Sequence, residues 1–105
     1  RGITIAAEAR RRLRGPRNGR AALAGPFKAF GLLFIIDHGD EYHSLLSGLS
    51  RLTVPVGAPV RAGQMVGTLE PIQGDTAQLY VELRRRGVPV NPLPWLAAGQ
   101  DKVRG

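Results

Sequence analysis

At 105 residues, 43% apolar and 22% charged, the chain is long enough for one folded core and too short for two, and its composition excludes a disordered tail. The absence of Cys excludes disulfides and thiolate metal sites. A formal net charge of +7, carried by 13 Arg and 2 Lys, favours anionic partners without choosing one.

Runs of β-branched and aromatic residues bounded by Gly, Pro, Asn and Asp recur along the chain, and no window sustains a helical period, so the class is mainly β. The chain begins at Arg1 and not at Met, as expected of a piece of a longer protein. Short strands are predicted at Ile3–Ala6, Leu13–Arg14 and Arg20–Ala24. Around them Arg10, Arg11, Arg12, Arg14, Arg17 and Arg20 form a basic cluster without a single interleaved aromatic, which argues against base stacking and nucleic acid. Such a cluster is either a solvated surface or an electrostatic site for an anionic polymer.

Longer strands are predicted at Leu32–Asp37 and Tyr42–Leu49, joined by "DHGDEY", where Gly39 and Asp40 suit a tight antiparallel hairpin. The longest apolar run, Leu32 to Ile36, is far below the roughly 20 residues that span a bilayer. Gly57, Gly63 and Gly67 punctuate "PVGAPVRAGQMVG" as reversals or bulges between very short strands, and a longer strand is predicted at Met65–Leu69. The last predicted strand, Leu79–Arg85, lies in "AQLYVELRRRG". Alternation puts Leu79, Val81 and Leu83 on one face and Gln78, Tyr80 and Glu82 on the other, a polar face that belongs either to a surface strand or to the floor of a groove. After Arg86, "GVPVNPLPWL" has too many prolines for a central strand and is expected to wrap the body as an extended tail, with Trp95 and Leu96 tucked in. Residues 1–96 are expected to form the domain and 97–105 a flexible tail.

The residues for catalysis are missing. A hydrolytic zinc site takes three protein ligands, and the two imidazoles, His38 and His43, lie five apart across a hairpin turn with no shared strand face. Ser44, Ser47 and Ser50 have no G-x-S-x-G elbow, the carboxylates of Asp40 and Glu41 sit at a hairpin tip, and no Gly-rich phosphate loop occurs. By elimination the domain binds and does not catalyse.

Taken in order, "NGRAALAGPFKAFGLLFIIDHGDEYHSLLSGLSRL", "VPVGAPVRAGQMVG" and "LYVELRRRGVPVNPLPWL" resemble the LytM domain of lysostaphin-like zinc peptidases that cut peptidoglycan cross-bridges. The resemblance implies a compact antiparallel β sandwich of the duplicated hybrid motif type with an open groove along one sheet. Active members carry His or Asp at their ligand and catalytic positions. Here Thr4 stands for the Asp of H-x-x-x-D, Gly48 for the His of the Tyr-Ala-His-Leu pattern, and Gln78 and Tyr80 for the two His of H-x-H. The first His would precede Arg1. On this resemblance the polar face is a groove floor that has lost zinc; no catalytic residue, metal or cofactor is expected.

Degenerate LytM domains of this kind are similar to the murein hydrolase activators of Gram-negative bacteria, the EnvC and NlpD type. In them the empty groove binds the regulatory helix of a periplasmic N-acetylmuramoyl-L-alanine amidase and frees the amidase active site, at division and cell-wall remodelling. The resemblance implies a periplasmic location, a partner-binding groove of Arg1, Thr4, Phe30, Gly48, Gln78, Tyr80 and Arg84, and a coiled coil upstream of Arg1. Phe30 is otherwise an ordinary core aromatic, and Arg84 a solvated strand-end charge. The alternative function is direct binding of peptidoglycan or another anionic polymer by Arg10–Arg20. "VPVGAPVRAGQMVGTLE" is also similar to half-motifs of biotinyl and lipoyl carriers, but neither Lys28 nor Lys102 has the hairpin-tip setting of a modified lysine.

Overall fold

The computed structural model describes residues 2–8, 12–26 and 31–95. Its strands in chain order are β1 (Ile3–Glu8), β2 (Arg12–Arg14), β3 (Gly19–Pro26), β4 (Leu32–Gly39), β5 (Tyr42–Leu52), β6 (Pro59–Val60), β7 (Met65–Leu69), β8 (Pro71–Gln73), β9 (Thr76–Arg85) and β10 (Val88–Val90). All seven predicted strands are present. Unpredicted β6, β8 and β10 have two or three residues each, too few for a period of two to be legible.

The tail after Arg86 departs from expectation. Arg86 and Gly87, at φ 55° and 80°, turn the chain back, and β10 pairs antiparallel with β9, Val88 opposite Arg85 and Pro89 opposite Arg84. Pro89 is tolerated because β10 lies on an edge, where a missing N–H breaks no central ladder. Beyond it one helical turn at 93–95 brings Trp95 against His38 and Tyr42, with ring centroids 4.8 and 5.3 Å apart. Leu96 lies outside the described residues.

Every strand pairing is antiparallel, and the path runs β1-β9-β5-β4-β3-β6. β5 is the axis. One edge pairs with β4 from Tyr42 to Leu49, while the other is shared, Tyr42–Ser47 with β9 and Leu49–Leu52 with β7. The fork falls at Gly48. Between β4 and β5 the hairpin loop is Asp40 and Glu41, both at positive φ, with Gly39 before them at 85°, so the turn sits one residue later than predicted.

Phe34, Ile36, Leu46, Leu49, Val66 and Val81 lie in the core, each at most 3% exposed. Burying a side chain of this kind contributes about 1.5–3 kcal/mol. The unbroken apolar run in β4 now has a reason. Phe34 and Ile36 enter the core, while half-buried Leu33 and Ile35 face the opposite side, across from Ser47 and Leu45. That second face is where the fold is open: it is the mainly β, antiparallel architecture expected, with a groove along one side.

Candidate functional site

A groove of about 1010 Å³ lies over the outer face of β1, β9, β5 and β4. Cross-strand register builds its floor, because residues directly opposite in an antiparallel pair point to the same side. One row is Thr4, Tyr80, Ser47 and Leu33; the next holds Glu82 and Leu45; the last brings Arg84 opposite His43. Glu70, Pro71 and Ile72, where β7 runs into β8, border the groove beside Gly48 and Gln78.

Thr4, Gly48, Gln78, Tyr80 and Arg84 all line this groove. Arg1 and Phe30 fall outside the described residues, as do Lys28 and Lys102. Leu33, Leu45, Glu70, Pro71, Ile72 and Glu82 line it too and were not predicted. For Leu33 the signal was the lack of alternation in β4, and for Glu82 its place on the polar face of β9. Glu70 to Ile72 had none, since only the pairing of Pro71 with Ala77 brings them to the groove.

Three side chains on one face of β9 form a ladder. The Tyr80 hydroxyl donates to Glu82 Oε2 at 3.1 Å, and Arg84 Nε donates to Glu82 Oε1 at 2.7 Å. Glu82 is only 7% exposed, and both of its carboxylate oxygens have a hydrogen-bond donor at that depth. Tyr80 is 38% exposed, yet its hydroxyl is turned onto Glu82; desolvation first, then the hydrogen bond and the charge of that carboxylate, hold the phenol above its usual range. Tyr80 therefore stays a protonated donor. Its ring also packs on the chain at Gly2, where an added Cβ would stand 2.5 Å from Tyr80 Cζ.

Gly48 is more than a position without a side chain. Its φ is 111°, and an added Cβ would lie 2.3 Å from the Gln78 carbonyl oxygen. Its own carbonyl accepts the Glu70 N–H at 2.8 Å, which ties the β5 fork to the corner between β7 and β8. An imidazole cannot be placed there on this backbone.

These residues do not fit a zinc ion. Thr4 and Gln78 are neutral, Gly48 offers nothing, and Tyr80 is committed as a donor to Glu82. Among the described residues no cluster of three or more His, Asp and Glu is close enough to hold a metal. The two imidazoles point to opposite faces. His38 Nδ1 bonds Asn18 O at 2.8 Å and Nε2 bonds Ser44 Oγ at 2.6 Å on the core side, while His43 lies on the groove side, 3.8 Å from Asp37 Oδ2. Burial lowers the His38 pKa from 6.5, outweighing the upward pull of the Asn18 carbonyl and of Asp37.

The basic cluster is partly engaged in holding loops. Arg14 Nη1 donates to Gly63 O at 2.9 Å, Arg20 Nη1 donates to Gly57 O at 2.6 Å, and the Arg17 guanidinium stacks 4.2 Å over Trp95. Arg12 is exposed on β2, and Arg10 and Arg11 lie outside the described residues.

Known proteins share this frame. The chain is 35% identical over 96 residues to the murein hydrolase activator EnvC of Escherichia coli (strain K12), an alignment that covers 90% of this chain and 23% of that protein. It is 32% identical over 96 residues to the murein hydrolase activator NlpD of the same strain, covering 90% of this chain and 25% of NlpD. The chain thus spans about a quarter of the length of these relatives. The solved structure of LytU superposes with a TM-score of 0.79 at 24% identity, over 96% of this chain and 77% of that one, a likeness of fold. Residues 1–92 match the family described as Peptidase family M23, and with the β fold and groove already in place the chain belongs to that family.

Proposed function

We propose that this domain is a non-catalytic activator of a cell-wall hydrolase: it binds the regulatory helix of a periplasmic N-acetylmuramoyl-L-alanine amidase in the groove and so frees the amidase active site during division and wall remodelling. The observation that carries this reading is the groove itself, which has the frame of a peptidase site but a floor of Thr4, Gln78 and Tyr80, bordered by Leu33, Leu45, Pro71 and Ile72. Apolar area flanked by a few polar groups suits an amphipathic helix better than it suits a polar peptide substrate. The relatives named as murein hydrolase activators support the same assignment. Activation is then a population shift, and its size is bounded by how much more tightly the groove holds the released helix than the docked one.

The test is a titration of the purified chain against the zinc amidases of its own organism, followed by release of dye from labelled sacculi. Stimulation that saturates, and that is weakened by Tyr80→Ala without loss of the fold, is expected. Zinc-dependent cleavage of sacculi by the chain alone would overturn the proposal, as would neither binding nor stimulation at concentrations up to about 100 µM, where even weak complexes form.

A further inference from the structure

The groove has a direction. Along β1 and β9, Glu8 lies opposite Thr76, Ala6 opposite Gln78 and Thr4 opposite Tyr80, so Glu8 shares the groove face with Thr4. Pro71 lies opposite Ala77, which sets Glu70 at the level of Gln78, and Glu70 lines the groove. Two exposed carboxylates therefore stand at the end of the groove where β9 begins. Six residues beyond Gln78, roughly 20 Å at about 3.3 Å per residue, Arg84 lines the other end. Only its Nε is used on Glu82, and a guanidinium has four further N–H donors. Between the two ends Glu82 is 7% exposed and accepts from both Tyr80 and Arg84. At the Arg84 end His43 stands opposite Arg84 and Asp37 opposite His43; the Asp37 carboxylate accepts the Gly39 N–H at 2.9 Å and lies two strands from the guanidinium.

A helix presents the complementary pattern. Its first turn carries unpaired N–H groups and a partial positive charge, and its last turn carries unpaired carbonyls and a partial negative charge. A span of roughly 20 Å accommodates about 13 helical residues at 1.5 Å each. We infer that the groove takes an amphipathic helix of about that length in one orientation, parallel to β9, with its first turn over Glu8 and Glu70 and its last turn at Arg84. Leu33, Leu45, Ile72 and Tyr80 receive its apolar face. Docked the other way round, the same helix would set its carbonyls against two carboxylates and its N–H groups against a cation. Each end contact is worth about a two- to fivefold change in affinity, so the two directions separate clearly. This inference rests on the proposed docking of a partner helix and adds its polarity.

Because the chain has no Cys, single sites can be labelled cleanly. Ile72→Cys marks the acidic end and Pro89→Cys, opposite Arg84 and exposed, marks the basic end; each is coupled to a benzophenone. The probe is a synthetic peptide of the amidase regulatory helix, acetylated and amidated so that its dipole is tested without terminal charges. After irradiation, cross-links from position 72 are expected in the first third of the peptide and those from position 89 in the last third, mapped by mass spectrometry. Calorimetry of Glu70→Gln is expected to show binding weakened about two- to fivefold. A swapped cross-link pattern, or the same pattern from both sites, overturns the polarity and leaves the docking standing. A peptide that does not bind the unlabelled, folded chain at all overturns the docking reading and the polarity with it.

Discussion

Arg84 Nε donates to Glu82 Oε1 at 2.7 Å, and through that contact a half-buried strand-end cation fixes the carboxylate buried in the groove floor. Arg84→Ala leaves Glu82 with the Tyr80 hydroxyl as its remaining partner among the described residues. The expected cost is about 1–3 kcal/mol in urea denaturation, the range for a hydrogen bond to a charged group that ends up partly unsatisfied. Glu82→Gln combined with Arg84→Ala should cost less than the two single changes added together. A parent-like midpoint for Arg84→Ala would show that the guanidinium does not hold the floor. Loss of partner binding in that variant has to be read against this change in stability.

Gly48 makes the groove hard to convert back into a metal site. At φ 111°, with a Cβ 2.3 Å from the Gln78 oxygen, Gly48→Ala is expected to lose about 2–4 kcal/mol, combining backbone strain with the displacement of β9. Placing His at positions 48, 78 and 80 and Asp at position 4 together should yield a destabilised chain that holds zinc no better than the parent, by equilibrium dialysis. A stable variant with stoichiometric zinc would mean that the fork at Gly48 readily adopts another conformation.

His38 makes the fold sensitive to acid. Burial depresses its pKa below 6.5, so the unfolded chain takes up the proton more readily than the folded one. Its contribution is complete above about pH 6.5 and is lost as the pH falls through the folded-state value. The urea midpoint is therefore expected to fall between about pH 7.5 and 5, and to fall less in His38→Gln. Trp95, the only tryptophan, touches the His38 ring edge at 4.8 Å, so its fluorescence should titrate with the imidazole. Fluorescence flat over that interval would rule out protonation of His38 in the folded state.

Ile72 separates binding from stability. It is 61% exposed and lines the groove, so Ile72→Asp should move the denaturation midpoint by no more than about 0.5 kcal/mol. In the amidase assay the same change places a charge against an apolar helix face and is expected to lower apparent affinity about tenfold. Unchanged activation would remove the β7–β8 corner from the docking surface.

Much of this protein was legible in one dimension. The alternation in Gln78 to Leu83 determined that β9 has a polar face and a core face, because side chains on a strand reverse at every residue whatever lies beside it. The five-residue spacing of His38 and His43 across a turn separated them onto opposite faces for the same reason. Positive φ in the hairpin was readable from Gly39 and Asp40, since few residue types tolerate it, although the turn settled one residue later.

Tertiary structure alone decided what stands around that polar face. Glu70 and Ile72 reach the groove because Pro71 pairs with Ala77, and Arg84 meets His43 because β5 and β9 adopt one register out of several that periodicity allows equally. Likewise the strained backbone at Gly48 arises where β5 leaves β9 for β7, segments about 20 to 30 residues away along the chain. Local pattern sets which way a side chain points; only the register of distant strands sets what it points at.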